Sequence, residues 1–270
     1  VITVVHGRHD HLELQRAGLA ESSRPIANHV IVAIDDPGLG PVARREQLPY
    51  DVIAVDGYAA GLPLALARNV GAHVAIDAGA DLLVFLDVDC VPSRQLIAAY
   101  ESAARIVPQN LLCGPVAYLP PAPPGGYHLR SLHHLADPHP DRPSPPPGQL
   151  LHDRHHYDLF WSLSFATTAA QWSRLGGFCE SYRGYGGEDT DFAYVARERQ
   201  CALTWVGSAR AFHQHHWVSS PPIEHLEDIV RNASVFYQRW GRWPMGGWLE
   251  QFSRRGLVEW TEHSLQISGD

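Results

Sequence analysis

The chain contains no lysine: all 21 residues counted as Lys+Arg are arginines. An arginine-only basic set reads as the mark of a GC-rich coding sequence, so arginine by itself carries little functional information here. Basic charge is also in short supply, with 29 acidic residues and a formal net charge of −8. That balance implies no broad basic surface and argues against a nucleic-acid binder. Cysteine is limited to Cys90, Cys113, Cys179 and Cys201, widely spaced and without a CxxC pair. The spacing excludes a zinc-thiolate centre and a dense disulfide framework, and four small buried thiols in a reducing cytoplasm are the expectation. No apolar run approaches the roughly 20 residues needed to span a bilayer. The first residues, "VITVV", already read as a strand, so no signal peptide is expected.

What is present is enough apolar material for a large core: 270 residues, 45% of them hydrophobic. The runs "VITVV" (1–5), "HVIVAI" (29–34), "DVIAV" (51–55), "LLVFL" (82–86) and "ALTWV" (202–206) are short and nearly continuous in apolar residues. Strands covered on both faces by helices read this way. Between the first four lie the helix-like "HLELQRAGLAES" and "LPLALARNVGAHVAIDAGA". The alternation predicts an α/β fold with a mostly parallel sheet flanked by helices, in which ligands collect at the carboxyl ends of the strands. Residues 118–158 break the pattern: rich in Pro, Gly and His, they predict an irregular excursion of the kind that forms lids or binding loops. Helical periodicity returns in "TDFAYVARERQ" and from Ile223 to about Trp240. Trp240, Trp243 and Trp248 are expected to pack on the core; the lack of a basic face argues against membrane docking.

Several groups of residues carry chemistry. "VFLDVDCVPS" sets Asp87 and Asp89 at the end of the most apolar strand. Alternate strand residues share a face, and two like charges on one face call for a cation beside them. A divalent ion holding a diphosphate fits, since hard oxygen ligands suit Mg²⁺ or Mn²⁺. A surface turn at a strand end is the competing reading. Arg8 follows the first strand and Arg68 lies in the helix before the fourth; each can face phosphates or simply be solvated. Asp35 and Asp36 follow the second strand, as acceptors for a base or ribose or as part of a "DDPG" turn. His213, His215 and His216 follow a strand-like run, and neutral imidazole suits Mn²⁺ or Zn²⁺. In "GYGGEDTDF", two glycines precede Glu188, Asp189 and Asp191: a helix N-terminus favours such acids, and one of them can serve as a base.

In chain order, "VVHGRHDHL", "LALARNVG", "VFLDVDCVPS", "GGFCESYRGYGGEDTDF" and "AFHQHH" resemble the GT-A glycosyltransferases. More narrowly, they resemble bacterial family 2 enzymes whose C-terminal half is similar to the β-1,4-galactosyltransferase catalytic region. The resemblance runs from Val1 to about His216, and "VRNASVFYQRWGRWPMGGWL" resembles a tail of actinobacterial members. It implies a GT-A domain over 1–217, made of a nucleotide-sugar-binding half (1–117), the Pro/His-rich loop (118–158) and an acceptor and catalytic half (159–217). A helical extension follows over 218–270.

The same resemblance implies an inverting hexosyltransferase with a nucleotide-sugar donor (UDP favoured) and Mn²⁺ or Mg²⁺. The acceptor would be a saccharide, a lipid-linked glycan or a small molecule. Asp89 matches the metal-binding second Asp of the DxD motif and Asp87 the first, near the ribose. Arg8 and Arg68 match nucleotide-pocket arginines. Glu188 and Asp189 match the ED pair, with Asp189 in the base position. His213 matches the metal-ligating histidine, with His215 kept as the alternative register. Gly186 and Gly187 would let backbone approach the sugar and turn the acids into the cleft. A bacterial cytoplasmic location follows, with the inner-membrane surface as the membrane alternative. Two rivals stand beside this reading. A nucleotidyltransferase would show a Gly-rich phosphate loop that "HGRHDH" lacks, and a non-catalytic GT-A binding module would be expected to have lost Asp89 or Asp189.

Overall fold

All five apolar runs form strands in the computed structural model, which describes residues 1–40, 47–59 and 61–269. Strands β1 (Ile2–Val5), β2 (His29–Ile34), β3 (Tyr50–Val55) and β4 (Leu82–Leu86) pair in parallel in the order β3-β2-β1-β4. Helices α1 (His9–Ala20) and α2 (Leu64–Asp77) alternate with these strands along the chain. All six residues of β2 are buried, as its unbroken apolar run requires, whereas β3 lies at the sheet edge and is largely open.

The chain then makes a second, smaller sheet from β5 (Cys90–Pro92), β7 (Val116–Tyr118), β8 (Asp137–Pro138) and β12 (Ala211–His213). The main sheet is extended by β6 (Leu111–Cys113), β9 (Leu150–Asp153), β10 (Ser164–Thr168) and β11 (Leu203–Val206), giving the order β3-β2-β1-β4-β10-β6-β11-β9. Strand β10 runs antiparallel to both neighbours and β9 antiparallel to β11, so the eight-stranded sheet is mostly parallel with two reversed members. Further α-helices among the described residues are α3 (Leu96–Ile106), α4 (Leu132–Leu135), α5 (Ala169–Leu175), α6 (Glu188–Glu198), α7 (Leu226–Trp240) and α8 (Gly246–Arg254).

Residues 118–158 are less irregular than their composition predicts. They contain α4 and β8, and they end in β9, which borders β11 at the edge of the main sheet. Arg142 from this segment is buried, its guanidinium 5.0 Å from the ring centroids of both Trp161 and Trp205. The C-terminal extension is not purely helical either, since it closes with an antiparallel hairpin of β13 (Val258–Trp260) and β14 (Leu265–Ile267). Two-residue alternation is too brief there to stand out from the surrounding aromatic residues.

Aromatic packing ties the sheet to the helix that carries the acidic triplet. Phe85 on β4 stacks on Phe165 of β10 at 4.4 Å, and Phe178 stacks on Phe192 of α6 at 4.5 Å. Burying a side chain of this kind contributes about 1.5–3 kcal/mol, and Phe192 is fully buried. The first turn of α6 is therefore anchored one turn from Glu188. Phe236 of α7 joins the same core, with Trp240 packed against it. That agrees with the expectation for Trp240, while Trp243 and Trp248 cover a satellite cluster around Leu249 and Phe252.

Candidate active site

Strand β4 stops at Leu86, and a turn closed by the Cys90 N–H on the Asp87 carbonyl carries the chain into β5. Gln15 of α1 pins this turn by donating to the carbonyls of Asp87 (2.7 Å) and Cys90 (3.0 Å). Two-residue strand alternation therefore does not reach Asp89, and the two carboxylates engage different partners. Asp87 accepts from Arg68 Nη2 at 3.1 Å, and Asp89 accepts from Arg8 Nη1 at 2.5 Å. Each acid of the DxD has its own arginine, which answers the like-charge problem the sequence raised.

Arg8 reaches Asp89 from the tight turn after β1, where Gly7 and Arg8 both take left-handed backbone (φ 61° and 51°). Asp36 braces that turn, accepting from the Gly7 N–H at 2.9 Å and contacting His9 Nε2 at 2.8 Å. Asp35 is exposed beside Gly57. The Arg8 side chain keeps 41% of its surface in solvent, so much of its guanidinium stays open beside Asp89.

Strand β12 brings His213 to 3.5 Å from Asp89 Oδ1, and a bend after it returns His216 to 3.4 Å from Asp89 Oδ2. The bend is fixed by the Gln214 N–H on the Asp89 carbonyl (2.8 Å) and Gln214 Nε2 on the His11 carbonyl (3.0 Å). His215 faces elsewhere: it is exposed, and its N–H donates to the Tyr127 hydroxyl. The second histidine beside Asp89 is thus His216 and not His215, because the chain folds back on itself through "HQHH" instead of continuing as a strand.

Ligand atoms of Asp89, His213 and His216 lie within 4.8 Å of one another. Asp89 Oδ1 is buried and has no hydrogen-bond partner, so its lone pairs fit a cation's coordination sphere. Burial alone would raise the Asp89 pKa, but the His216 hydrogen bond and the charges of His213 and Arg8 outweigh it and hold the group down to about 2. Burial lowers the His213 pKa against the opposing pull of Asp89, a direction that favours the neutral imidazole a metal ligand requires. Burial likewise lowers the His11 pKa, and its ring meets that of His216 edge-on at 6.3 Å. One carboxylate and two imidazoles form a mixed oxygen and nitrogen donor set of the kind that can hold a divalent transition metal.

Arg68 links this corner to the acidic triplet. Its Nη1 donates to Glu188 Oε1 at 3.0 Å while Nη2 holds Asp87. Asp189 follows at the second position of α6, partly exposed, with Oδ1 accepting the Thr190 N–H at 2.7 Å. Burial first and the Glu188 charge second push its pKa up to about 7, against hydrogen bonds from Thr190 and Ser162 and the charge of Arg68. A carboxyl near neutrality is matched to proton transfer at neutral pH. Asp191 is fully buried and accepts from Tyr182, Arg239 and Trp240 on a single oxygen, so it braces the first turn of α6.

Gly186 and Gly187 have φ of 92° and 93°, the left-handed region that favours glycine. A Cβ on Gly186 would stand 3.0 Å from Met245 Sδ, and one on Gly187 3.2 Å from the Tyr182 ring. What the missing side chains admit is therefore protein, so close packing on this side and the left-handed turn are what require glycine here. Tyr185, just before them, stacks on His225 at 4.5 Å. Its pKa is raised by burial first and then by the charges of Asp189 and Glu188.

Residues 149–217 match a family model described as the N-terminal domain of galactosyltransferase. None of the curated proteins matches the chain in sequence. Among solved structures, that of GalNAc-T7 with UDP, GalNAc and Mn²⁺ aligns with a TM-score of 0.60 at 14% identity, covering 94% of this chain and 56% of that one. S. aureus TarS (residues 1–349) aligns with a TM-score of 0.56 at 14% identity, covering 86% of this chain and 63% of that one. The TarS complex with UDP-GlcNAc gives 0.56 at 12% identity, covering 81% and 58%. The chain thus spans little more than half the length of these structures. The fold is the GT-A fold, with Asp87, Asp89 and Arg8 at the carboxyl ends of its parallel strands.

Proposed function

We propose that this chain is a metal-dependent, inverting glycosyltransferase that moves a sugar from a nucleotide-sugar, UDP-linked by preference, to an acceptor hydroxyl. The observation that carries the reading is that one buried arginine, Arg68, ties Asp87, two residues before Asp89, to Glu188, next to Asp189. Asp89, His213 and His216 form a divalent-cation donor set on one side, and Glu188 and Asp189 form an acidic pair on the other. The GT-A fold and the match over residues 149–217 support it, as do the UDP and Mn²⁺ in the GalNAc-T7 structure and the UDP-GlcNAc in that of TarS.

Asp89, His213 and His216 would hold Mn²⁺ or Mg²⁺, whose chemistry is to neutralise charge on a departing diphosphate as a Lewis acid. Arg8, open to solvent beside Asp89, adds a second positive charge for the same phosphates. Arg68 fixes Asp87 and Glu188 at one spacing. Asp189 accepts the proton of the attacking hydroxyl; its raised pKa makes it a stronger base than a solvated aspartate. Glu188, with Oε2 free of any hydrogen-bond partner, contributes negative charge near the cationic sugar of the transition state.

The test is Mn²⁺-dependent release of UDP from a panel of UDP-sugars, with and without saccharide acceptors. Turnover that requires Mn²⁺ and drops at least a hundredfold in Asp189→Asn is the expected result. Full transfer by that variant removes Asp189 as the base. If no nucleotide-sugar gives either turnover or a metal-dependent thermal shift, the enzymatic reading falls.

A further inference from the structure

Helix α7 meets the segment that delivers Glu188 and Asp189 with a fully buried asparagine. Asn232 Oδ1 accepts the Arg183 N–H at 3.2 Å. Its Nδ2 lies 3.0 Å from the Arg183 carbonyl, 3.2 Å from that of Tyr185 and 2.8 Å from that of Gly186, so two amide hydrogens are shared among three acceptors. One turn earlier, Asp228 Oδ2 accepts the Tyr185 N–H at 3.1 Å, and Arg231 donates to the Arg183 carbonyl at 2.7 Å. Two turns later, Arg239 and Trp240 hold Asp191 at 2.6 and 2.7 Å.

The gripped segment has little shape of its own. Gly184, Gly186 and Gly187 all sit at positive φ (71°, 92° and 93°), and glycine has the most conformational freedom to lose. Its carbonyls need donors, and among the described residues no strand pairs with the segment to supply them. An asparagine answers both needs, donating and accepting from one planar group. Aspartate would lack the donors and leucine would lack both.

The geometry points to Asn232 as the positioning residue for the acidic pair: by fixing the backbone of 183–186 it sets where α6 begins and where Asp189 stands. The inference rests on the reading of Asp189 as the base. It makes the C-terminal extension a working part of the site, although no atom of Asn232 touches the Asp89 cluster. A displacement of about 1 Å at a reacting group is enough for a hundredfold loss of rate.

The experiment compares wild type with Asn232→Ala and Asn232→Ser in the full chain, using Mn²⁺ and the UDP-sugar that wild type turns over. Serine keeps one hydroxyl for the segment and guards against a variant that does not fold. Expected are a kcat lower by about 10–100-fold in the alanine variant and partial recovery in the serine variant. The donor KM and Mn²⁺·UDP affinity should stay within about twofold, and amide exchange should speed up at Arg183 and Tyr185. Phe252→Leu, in the satellite core under α8, lowers Tm without touching the segment and should leave kcat per folded molecule unchanged. The proposal is overturned if folded Asn232 variants keep wild-type kcat, or if Phe252→Leu loses kcat equally at matched Tm. If wild type turns over no UDP-sugar, the functional reading is what fails. Unchanged amide exchange in the serine variant would overturn the clamp itself, with or without activity.

Discussion

Arg68 Nη1 donates to Glu188 Oε1 at 3.0 Å across 120 residues of sequence, and both side chains are only 7% exposed. The other terminal nitrogen of the same guanidinium holds Asp87, so one planar group spaces the end of β4 from the start of α6. Asp87 and Glu188 in turn hold the Arg68 pKa up against the effect of burial, which acts to lower it. A lysine has a single point of charge and cannot set that spacing.

Arg68→Ala should therefore be felt in stability before activity is considered. It leaves Glu188 buried without its counter-charge, for which a loss of ~3–5 kcal/mol is expected. Arg68→Lys should retain more stability but lose one of the two bonds, with kcat down by an order of magnitude or more. Urea unfolding and steady-state kinetics on the two variants check the separation; equal stability of alanine variant and wild type would contradict it.

Metal affinity distinguishes the two neighbouring histidines. His216→Ala removes one of three ligand groups and should weaken Mn²⁺ binding at least tenfold, or ~1.4 kcal/mol. His215→Ala should leave it unchanged, since that side chain is exposed away from Asp89. Titration with Mn²⁺ in the presence of UDP, followed by electron paramagnetic resonance or calorimetry, reads both.

Much of this site was legible in the sequence because it hangs on strand ends. The apolar runs locate β1, β2 and β4, and Arg8, Asp36 and Asp87 follow at once from where those runs stop. What was not legible depends on bends. The turn at 87–90 splits the two DxD carboxylates between two arginines, and that follows from Gln15, a polar residue in α1 whose Nε2 acceptors are more than 70 residues away. The return of His216 to Asp89 depends on Gln214 in the same way. A spacing of three between His213 and His216 was the available signal, but it means proximity only once the strand is known to end at His213. Asn232 was beyond reach, since a lone asparagine in an amphipathic helix shows nothing of the backbone it grips.

The pH dependence should carry the signature of Asp189. Its pKa is raised to about 7 by burial and by Glu188, so the base is protonated on the acid side and kcat should fall as pH drops through about 7. Glu188→Gln removes the second of those causes and leaves the Arg68 charge unshared, and both changes should move the acid limb to lower pH. The stability consequence has the opposite sign. A carboxyl whose folded pKa lies above its unfolded value, about 3.9, favours the fold below that value and loses the contribution as pH rises through about 7. Asp189→Asn should thus be inactive yet more stable than wild type at pH 8, by about 1–3 kcal/mol once its partial exposure is allowed for. The difference should shrink towards pH 4. Thermal melts of both proteins across that range test the sign.

Removal of residues 226–270 should do more than shorten the chain. Phe236 is fully buried in the core that contains Phe85, Phe165 and Phe192, and α7 supplies two of the three donors to the buried Asp191 carboxylate. Truncation would leave that carboxylate with Tyr182 alone, open a large cavity beside α6 and release the Gly184–Gly187 segment. Losing Phe236 alone corresponds to ~3–5 kcal/mol, comparable with the whole stability of many domains. The expected product is insoluble, or compact with weak near-ultraviolet circular dichroism and strong dye binding. A milder probe, Trp240→Phe, keeps a six-membered aromatic ring but removes the pyrrole N–H and its 2.7 Å bond to Asp191; the lost bond should cost ~1.5–3 kcal/mol, as a hydrogen bond to a charged group does. A truncated chain that melts cooperatively at the wild-type temperature would show that α7 is dispensable to the core it enters.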